Sequence, residues 1–364
     1  TIDLSLLADH DTVVTVLGSA VIHATISDQI IGLDDGATII VPYEREDDHT
    51  LVRETVGDPG FTTEYISKDE LEAVFNALDV FEITNVEDFT GNDDLDLSVL
   101  AIDDNASTVL SSAMIQAIIS KQVIDLDDVS GLIEVPYLQE NDDTAVRITV
   151  DDGLGHTTDY VESEELRFMI LSLDILNLTD VSTFTGTVDL SLLSDPDNKA
   201  TILSSYVLLA TISRQLLDSA DGTTFIIPYF EEDTSTPVVI ETGPVGFETT
   251  YISSTEISDL LSALDVLHLT DVTDFDSSTV DFATFAEGDN ATIMTESAII
   301  QAIISKQLLD LDVSEMIEVP YLADDGDTDV RVTVGPVGNE VELVFKAEIV
   351  NAILAMDLLN VTDP

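Results

Sequence analysis

SAMIQAIISKQVIDLDDVSGLIEVPY, Ser112 to Tyr137, is one of four versions of the same stretch in this chain. The others are SAVIHATISDQIIGLDDGATIIVPY (Ser19 to Tyr43), SYVLLATISRQLLDSADGTTFIIPY (Ser205 to Tyr229) and SAIIQAIISKQLLDLDVSEMIEVPY (Ser297 to Tyr321). They recur about 92 residues apart. That period means tandem modules, each long enough to bury a core of its own. The repeats run 1–92, 93–187, 188–279 and 280–364. Thr1-Ile2-Asp3 matches Thr187-Val188-Asp189 and Thr279-Val280-Asp281, so the chain is expected to be a processed product or a piece of a longer array.

Within the stretch, apolar residues return every three to four positions. In the second repeat they are Val109, Leu110, Met114, Ile115, Ile118, Ile119, Val123 and Ile124, one broad helical face. Asp104 or Asn105, with their counterparts Asp11 or Thr12, Asp197 or Asn198 and Asp289 or Asn290, suit the N-cap of this helix. An Asp-rich turn follows, and then a strand carrying Pro-Tyr. Proline cannot donate to a ladder, which places that strand at a sheet edge. A polar, variable segment (EREDDHT, QENDDTA, EEDTSTP, ADDGDTD) reads as a hairpin tip, followed by a second strand, a Gly/Pro turn and a third strand. A second amphipathic helix closes each repeat. In the first repeat Ser67 and Glu70 have the spacing of a capping box ahead of it. The motif that opens each repeat (DLSLL, DLSVL, DLSLL, DFATF) fits either a strand or a helical turn. The expected fold class is α+β: four tandem repeats, each helix–three-stranded antiparallel sheet–helix.

Charge bounds the partners. Asp and Glu number 73 against 11 Lys and Arg, a net charge of −62. Nucleic acid needs a basic footprint, and an anionic membrane surface needs one too, so both are excluded as partners. No apolar run reaches the roughly 18 residues of a transmembrane helix, so direct membrane insertion is not expected. There is no cysteine, which removes disulfides, zinc–thiolate sites and thiol nucleophiles.

The five histidines (His10, His23, His49, His156, His268) fall at different repeat positions and read as surface or half-buried side chains. Asp79, Asp174, Asp265 and Asp357 share one position late in the closing helix, where an Asp can end the helix. No nucleophile elbow, phosphate loop or metalloprotease motif is present. Catalytic residues are therefore expected to be absent. Hard cations select oxygen ligands, and calcium is the expected ion. Candidate ligands are Asp9 with Asp11, Asp103 with Asp104, Asp195 with Asp197, and Glu287 with Asp289, all before the first helix. Asp125, Asp127 and Asp128 form a further cluster, as do Asp324, Asp325, Asp327 and Asp329. Asn105, Asn177, Asn290 and Asn360 lie in glycosylation sequons, but N-capping accounts for two of them. Six of the eleven cations occupy two repeat positions: Arg53, Arg147 and Arg331 on the second strand, and Lys121, Arg214 and Lys306 late in the first helix. They are expected to pair with local carboxylates.

These features point to a non-enzymatic, extracellular or cell-surface structural repeat protein: a stalk, fibre or surface-layer subunit, cation-stabilised and self-associating or bound to other surface proteins. The alternatives are a calcium-dependent adhesin and a salt-adapted protein of a halophile. Self-repulsion at −62 opposes compaction, and the screening length falls from about 10 Å at 0.1 M salt to about 3 Å at 1 M. The melting temperature is therefore expected to climb as sodium chloride rises over that range. A further shift in millimolar calcium at matched ionic strength, reversed by chelator, would mark the acidic loops as sites; a flat response to both salts would exclude cation stabilisation.

Overall fold

Helix dominates each repeat because its apolar residues keep helical spacing over long runs. The computed structural model describes residues 2–7, 10–34, 39–42, 51–83, 95–102, 104–130, 133–137, 146–151, 157–178, 184–220, 227–228, 238–243, 246, 248–269, 280, 282–286, 288–313, 330–335 and 340–358. The first repeat holds α1 (His10–Leu17), α2 (Ala20–Asp34), β1 (Arg53–Val56), β2 (Thr63–Ile66) and α3 (Lys68–Val80). The second holds α4 (Asn105–Val109), α5 (Ala113–Ser130), β3 (Arg147–Asp151), β4 (Thr157–Val161) and α6 (Ser163–Ile175). The third holds α7 (Pro196–Ile202), α8 (Tyr206–Ala220), β5 (Val239–Thr242), β6 (Thr249–Ile252) and α9 (Ser254–Val266). The fourth holds α10 (Asn290–Glu296), α11 (Ala298–Val313), β7 (Arg331–Val334), β8 (Val341–Val344) and α12 (Lys346–Leu358). The opening motif is a 3-10 turn in every repeat (Leu4–Leu7, Leu97–Ala101, Leu190–Ser194, Phe282–Ala286). Asp96 and Asp189 start two of these turns by accepting from the N–H groups of Ser98 and Ser191.

Two expectations are corrected. The sheet has two strands, not three: among the described residues each repeat forms one antiparallel hairpin, such as Arg147↔Val161 through Asp151↔Thr157. Among the described residues the Pro-Tyr segment joins no ladder. Ile39–Pro42, Ile133–Tyr137 and Ile227–Pro228 lie outside the strands, although Ile39, Val41, Ile133, Val135 and Ile227 are buried. Alternating burial mimics a strand in the sequence, yet burial needs only side-chain packing, and proline removes a ladder donor. Ile40 shows where such packing leads, since it lies against Ala117, Val150 and Tyr160 of the following repeat. The hairpin-tip segments and the inter-repeat linkers fall outside the described residues.

The second correction is that the first helix is two helices. In the second repeat α4 ends at Val109 and α5 starts at Ala113, with Ser112 between them. The Ser112 hydroxyl accepts from the Ile115 N–H at 3.2 Å, as Ser205 does from Leu208 and Ser297 from Ile300. A serine cap ends one helix and begins another even where apolar spacing continues. Nor does α5 stop before its aspartates: it runs through Ser130, so Asp125, Asp127 and Asp128 lie on helix.

The shared Ile-Ser-x-Gln fastens the long helix in two directions. Gln122 pairs both ways with the main chain of Leu95, accepting from its N–H at 3.2 Å and donating to its C=O at 3.4 Å. Gln29 with Ile2, Gln215 with Val188 and Gln307 with Val280 repeat the arrangement. The Ser120 hydroxyl accepts from Val161 N–H at 2.7 Å, and Ser213 and Ser305 do the same for Ile252 and Val344. One turn earlier, Gln116 and Gln301 donate to the Val161 and Val344 carbonyls. His23 occupies that position in the first repeat, with Nε2 2.6 Å from the Ile66 carbonyl and its ring stacked on Tyr65. It therefore holds a strand end, as glutamine does elsewhere.

On the hairpin, Arg53, Arg147 and Arg331 approach Glu64, Asp159 and Glu342 at 3.5, 3.3 and 3.7 Å. The third repeat has Val239 where the arginine would stand, and Thr250 where the carboxylate would. Loss of both partners together leaves no charge half-buried and unpaired. Arg147 also lies over the Tyr137 ring, 4.5 Å from its centroid, so the pair ties the Pro-Tyr segment to the hairpin.

Contacts divide the chain into two units. One is Thr1–Gly186 with Ser204–Leu208 and Gly243–Phe247; the other is Thr187–Leu203, Leu209–Thr242 and Glu248–Pro364.

The third repeat suggests a double-mutant cycle. Arg147→Val alone should cost about 1 kcal/mol, a modest figure because Asp159 is partly exposed and screened. Adding Asp159→Thr should recover part of that loss in denaturant melts; strictly additive losses would show that the two side chains do not act as a pair.

Candidate functional site: a carboxylate clasp between repeats

The closing helix of each repeat places a glutamate at its third residue: Glu70, Glu165, Glu256 and Glu348. Ser67 caps α3 by accepting from the Glu70 N–H at 3.2 Å, and Ser253 caps α9 from Glu256 in the same way. That is half of a capping box. The other half is absent because the Ser67 and Ser253 N–H groups already donate to Val52 and Val238 across the hairpin. The glutamate side chain is thereby free to point away from its own repeat.

It reaches the start of the next repeat's long helix. Glu70 Oε1 accepts from the Ser112 hydroxyl at 2.7 Å and from Met114 N–H at 2.9 Å, while Oε2 accepts from Ala113 N–H at 3.0 Å. Glu165 takes Ser205, Tyr206 and Val207 at 2.6, 2.8 and 3.0 Å. The Ser204–Leu208 turn that holds those donors belongs to the same unit as Glu165. Glu256 takes Ser297, Ala298 and Ile299 at 2.7, 2.9 and 3.0 Å. A helix start has donors with no partner of their own and carries a partial positive charge, so a carboxylate there meets both needs. The three glutamates are 4% to 7% exposed and the three serines 0%.

Burial and hydrogen bonding oppose one another here. Burial pushes each glutamate carboxyl up from its ordinary value of 4.5, and the three donors pull it part of the way back. The net direction is upward. The same helix face is buried beyond the clasp: Val74 and Ala77 of α3, one and two turns beyond Glu70, are buried, as are Met169 and Ser172 of α6 and Leu260 and Ala263 of α9.

The expected metal ligands separate into two groups. Asp9, Asp103 and Glu287 lie outside the described residues, and the Asp11 side chain is likewise not described. Asp195 caps α7, accepting from Asp197 and Asn198 N–H at 2.9 and 3.4 Å. Asp104 and Asp289 occupy the N-cap positions of α4 and α10 without a side-chain cap bond. Among the described residues no three His, Asp or Glu side chains gather as a cation site. Asn105, Asn198 and Asn290 donate their amides back to the carbonyls of Val99, Leu192 and Thr284, a repeated structural task. Asp79, Asp174 and Asp265 lie in the last helical turn, where their carbonyls accept from Glu82, Asn177 and His268. Those three residues take positive φ values of 55° to 57°, the left-handed stop that glycine often supplies.

A cleft of about 550 Å³ between α4 and α6 is lined by Asp104, Glu164, Arg167 and apolar side chains. Arg167 is replaced by Glu72, Ser258 and Val350 in the other repeats, so the cleft is not a shared site. No helix among the described residues is long and apolar enough to cross a membrane alone. Comparison of the chain with protein-family models, with curated proteins and with solved structures finds no match in any of the three.

Sequence reasoning read Glu70 as a partner of its own helix and gave Glu165 and Glu256 no role. The signal was present: among the four copies, a glutamate keeps the third helical position and a serine opens each long stretch. Removing the carboxylate orphans three buried donors, so Glu256→Ala should lower stability by about 3 kcal/mol. Glu256→Gln should lose less, because its amide keeps one acceptor but turns donors toward the Ala298 N–H. The sign of the pH effect follows from the upward shift. The native state keeps these protons at pH values where the unfolded chain has released them. Stability from the sites is then full below the ordinary glutamate value and falls as pH rises through the raised one. In molar salt, melting temperature should fall as pH rises above the ordinary glutamate value of 4.5, with a shallower slope in Glu256→Gln; identical slopes would remove the clasp from the titration.

Proposed function

We propose that the chain is a non-enzymatic structural array, a stalk, fibre or surface-layer subunit that works outside the cell or on its surface. The recurring clasp carries this reading. At each of three successive joins, the same buried glutamate accepts the same three donors from the following repeat. The groups that recur in all copies are those that pack, cap and join, and a spacer uses such groups to transmit load from one module to the next. The acidic surface supports solubility and repels anionic polymers and lipid.

Single-molecule force spectroscopy of the 364-residue chain tests this directly. A load-bearing array should give repeated unfolding events, each releasing on the order of 300 Å for a repeat of about 92 residues. Glu165→Ala and Glu256→Ala should lower the force of the events they adjoin. Smooth extension without discrete events would overturn the reading.

A further inference from the structure

Asn105, Asn177, Asn290 and Asn360 stand in the Asn-x-Ser/Thr pattern, and the fold accounts for two of them. Asn105 and Asn290 are half-buried, and their side-chain amides donate to the carbonyls of Val99 and Thr284 at 2.7 and 2.8 Å. Asn198 does the same for Leu192 at 3.2 Å, yet the residue two places on is Ala200, so it forms no sequon. An asparagine at this position braces the opening 3-10 turn whether or not a sequon surrounds it. Asn360 lies outside the described residues.

Asn177 is placed differently. It is exposed, just past the end of α6, in the left-handed region at φ 55°. Glu82 and His268 hold the same stop in their repeats at φ 57°, and they are exposed too. Three different side chains meet that backbone need, so the fold does not ask for asparagine there. The residue two places on is threonine in each case (Thr84, Thr179, Thr270), and only Asn177 completes a sequon with it. The main chain is fixed on both sides: Asn177 N–H donates to the Asp174 carbonyl at 2.9 Å and Leu178 N–H to Leu173 at 2.8 Å. The side chain is held far less. Among the described residues its amide makes one long contact, 3.4 Å to the Ile175 carbonyl at the surface, which leaves its second N–H unused. Asparagine tolerates the left-handed region better than other residues with a Cβ, so the turn carries it without strain.

We propose that Asn177 is the acceptor of an N-linked oligosaccharide. The inference rests on the reading above of an array that works outside the cell or on its surface, where such chains are added. The co-reactant is an oligosaccharide carried on a polyprenyl diphosphate and delivered by a transferase. Asn177 Nδ2 forms a bond to the anomeric carbon of the first sugar, and that carbon's bond to the diphosphate oxygen breaks. The lipid diphosphate leaves with the electron pair, and the proton displaced from Nδ2 passes to a base of the transferase. The product keeps one amide N–H and the side-chain carbonyl, so the turn after α6 is undisturbed. Asn105 and Asn290 would each have to give up a shorter, half-buried hydrogen bond to offer the same nitrogen.

Incubation of the folded full chain with an oligosaccharyltransferase and a lipid-linked oligosaccharide of known mass tests this, with occupancy of each site read by peptide mass spectrometry. Short peptides carrying the sequons of Asn105, Asn177 and Asn290 give the rates without the fold. Asn177 in the folded chain should react about as fast as its peptide. Asn105 and Asn290 should be slowed on the order of tenfold against theirs, the cost of freeing one hydrogen-bonded amide. Asn177→Asp keeps a side chain that tolerates the left-handed region and should abolish the modification. Thr179→Ala should abolish it as well, and Thr179→Ser should preserve it. An Asn177 slowed as much as Asn105 and Asn290 would overturn the proposal, as would modification that persists in Thr179→Ala. Discrete force events from a chain that stays unmodified at Asn177 would sink the proposal while leaving the structural-array reading standing. Modification of a chain that extends smoothly would do the reverse.

Discussion

A carboxylate taken out of water is costly unless donors replace the water, and a helix start is costly unless acceptors meet its free N–H groups. The clasp brings the two deficits together. Glu70, Glu165 and Glu256 each supply one acceptor pair to a serine hydroxyl and two amides of the following repeat. Neither half is stable when buried alone. Consecutive repeats are therefore bound to one another by the same requirement that forms their helices, and the closing helix of each repeat cannot be read apart from the opening helix of the next.

The rest of the repeat prepares those two halves. Ile-Ser-x-Gln holds the long helix against the hairpin and against the opening 3-10 turn, which fixes where its first turn points. The hairpin draws the N–H groups of Ser67 and Ser253 to Val52 and Val238, which releases the glutamate from its own cap. The arginine–carboxylate pairs brace the hairpin in the repeats that have them. Where the third repeat lacks the arginine it also lacks the acid, so the hairpin is preserved with Val239 and Thr250. Three of the eleven cations in this acidic chain thus do local work on the hairpins.

Much of the fold was legible in one dimension. The four-fold repeat, the apolar helical faces, the paired strands and the closing helix all follow from periodicity and turn residues. Two features misled. The Ile-Ile-Val-Pro and Ile-Glu-Val-Pro segments alternate like a strand, but their alternation records packing without a ladder. The long apolar run before them reads as one helix, yet Ser112 and its counterparts break it, because a side-chain cap outweighs continuity of spacing. The site was less legible. Glu70 stands three residues after Ser67, a spacing that fits a local capping box, and its actual partners lie more than forty residues away.

What the amino-acid order determined is local: which segments coil, which pair, and which groups must find a partner once buried. Gln122 and Glu70 are polar groups on helices with apolar faces and Ser112 stands just ahead of one, and that much is written in their neighbours. Tertiary structure alone decided who those partners are. Hydrogen-bond valence is set by the residue, but its fulfilment depends on distance in space. Glu70 could satisfy Ser67 or Ser112 equally well by chemistry. The hairpin settled the choice by occupying the Ser67 N–H first.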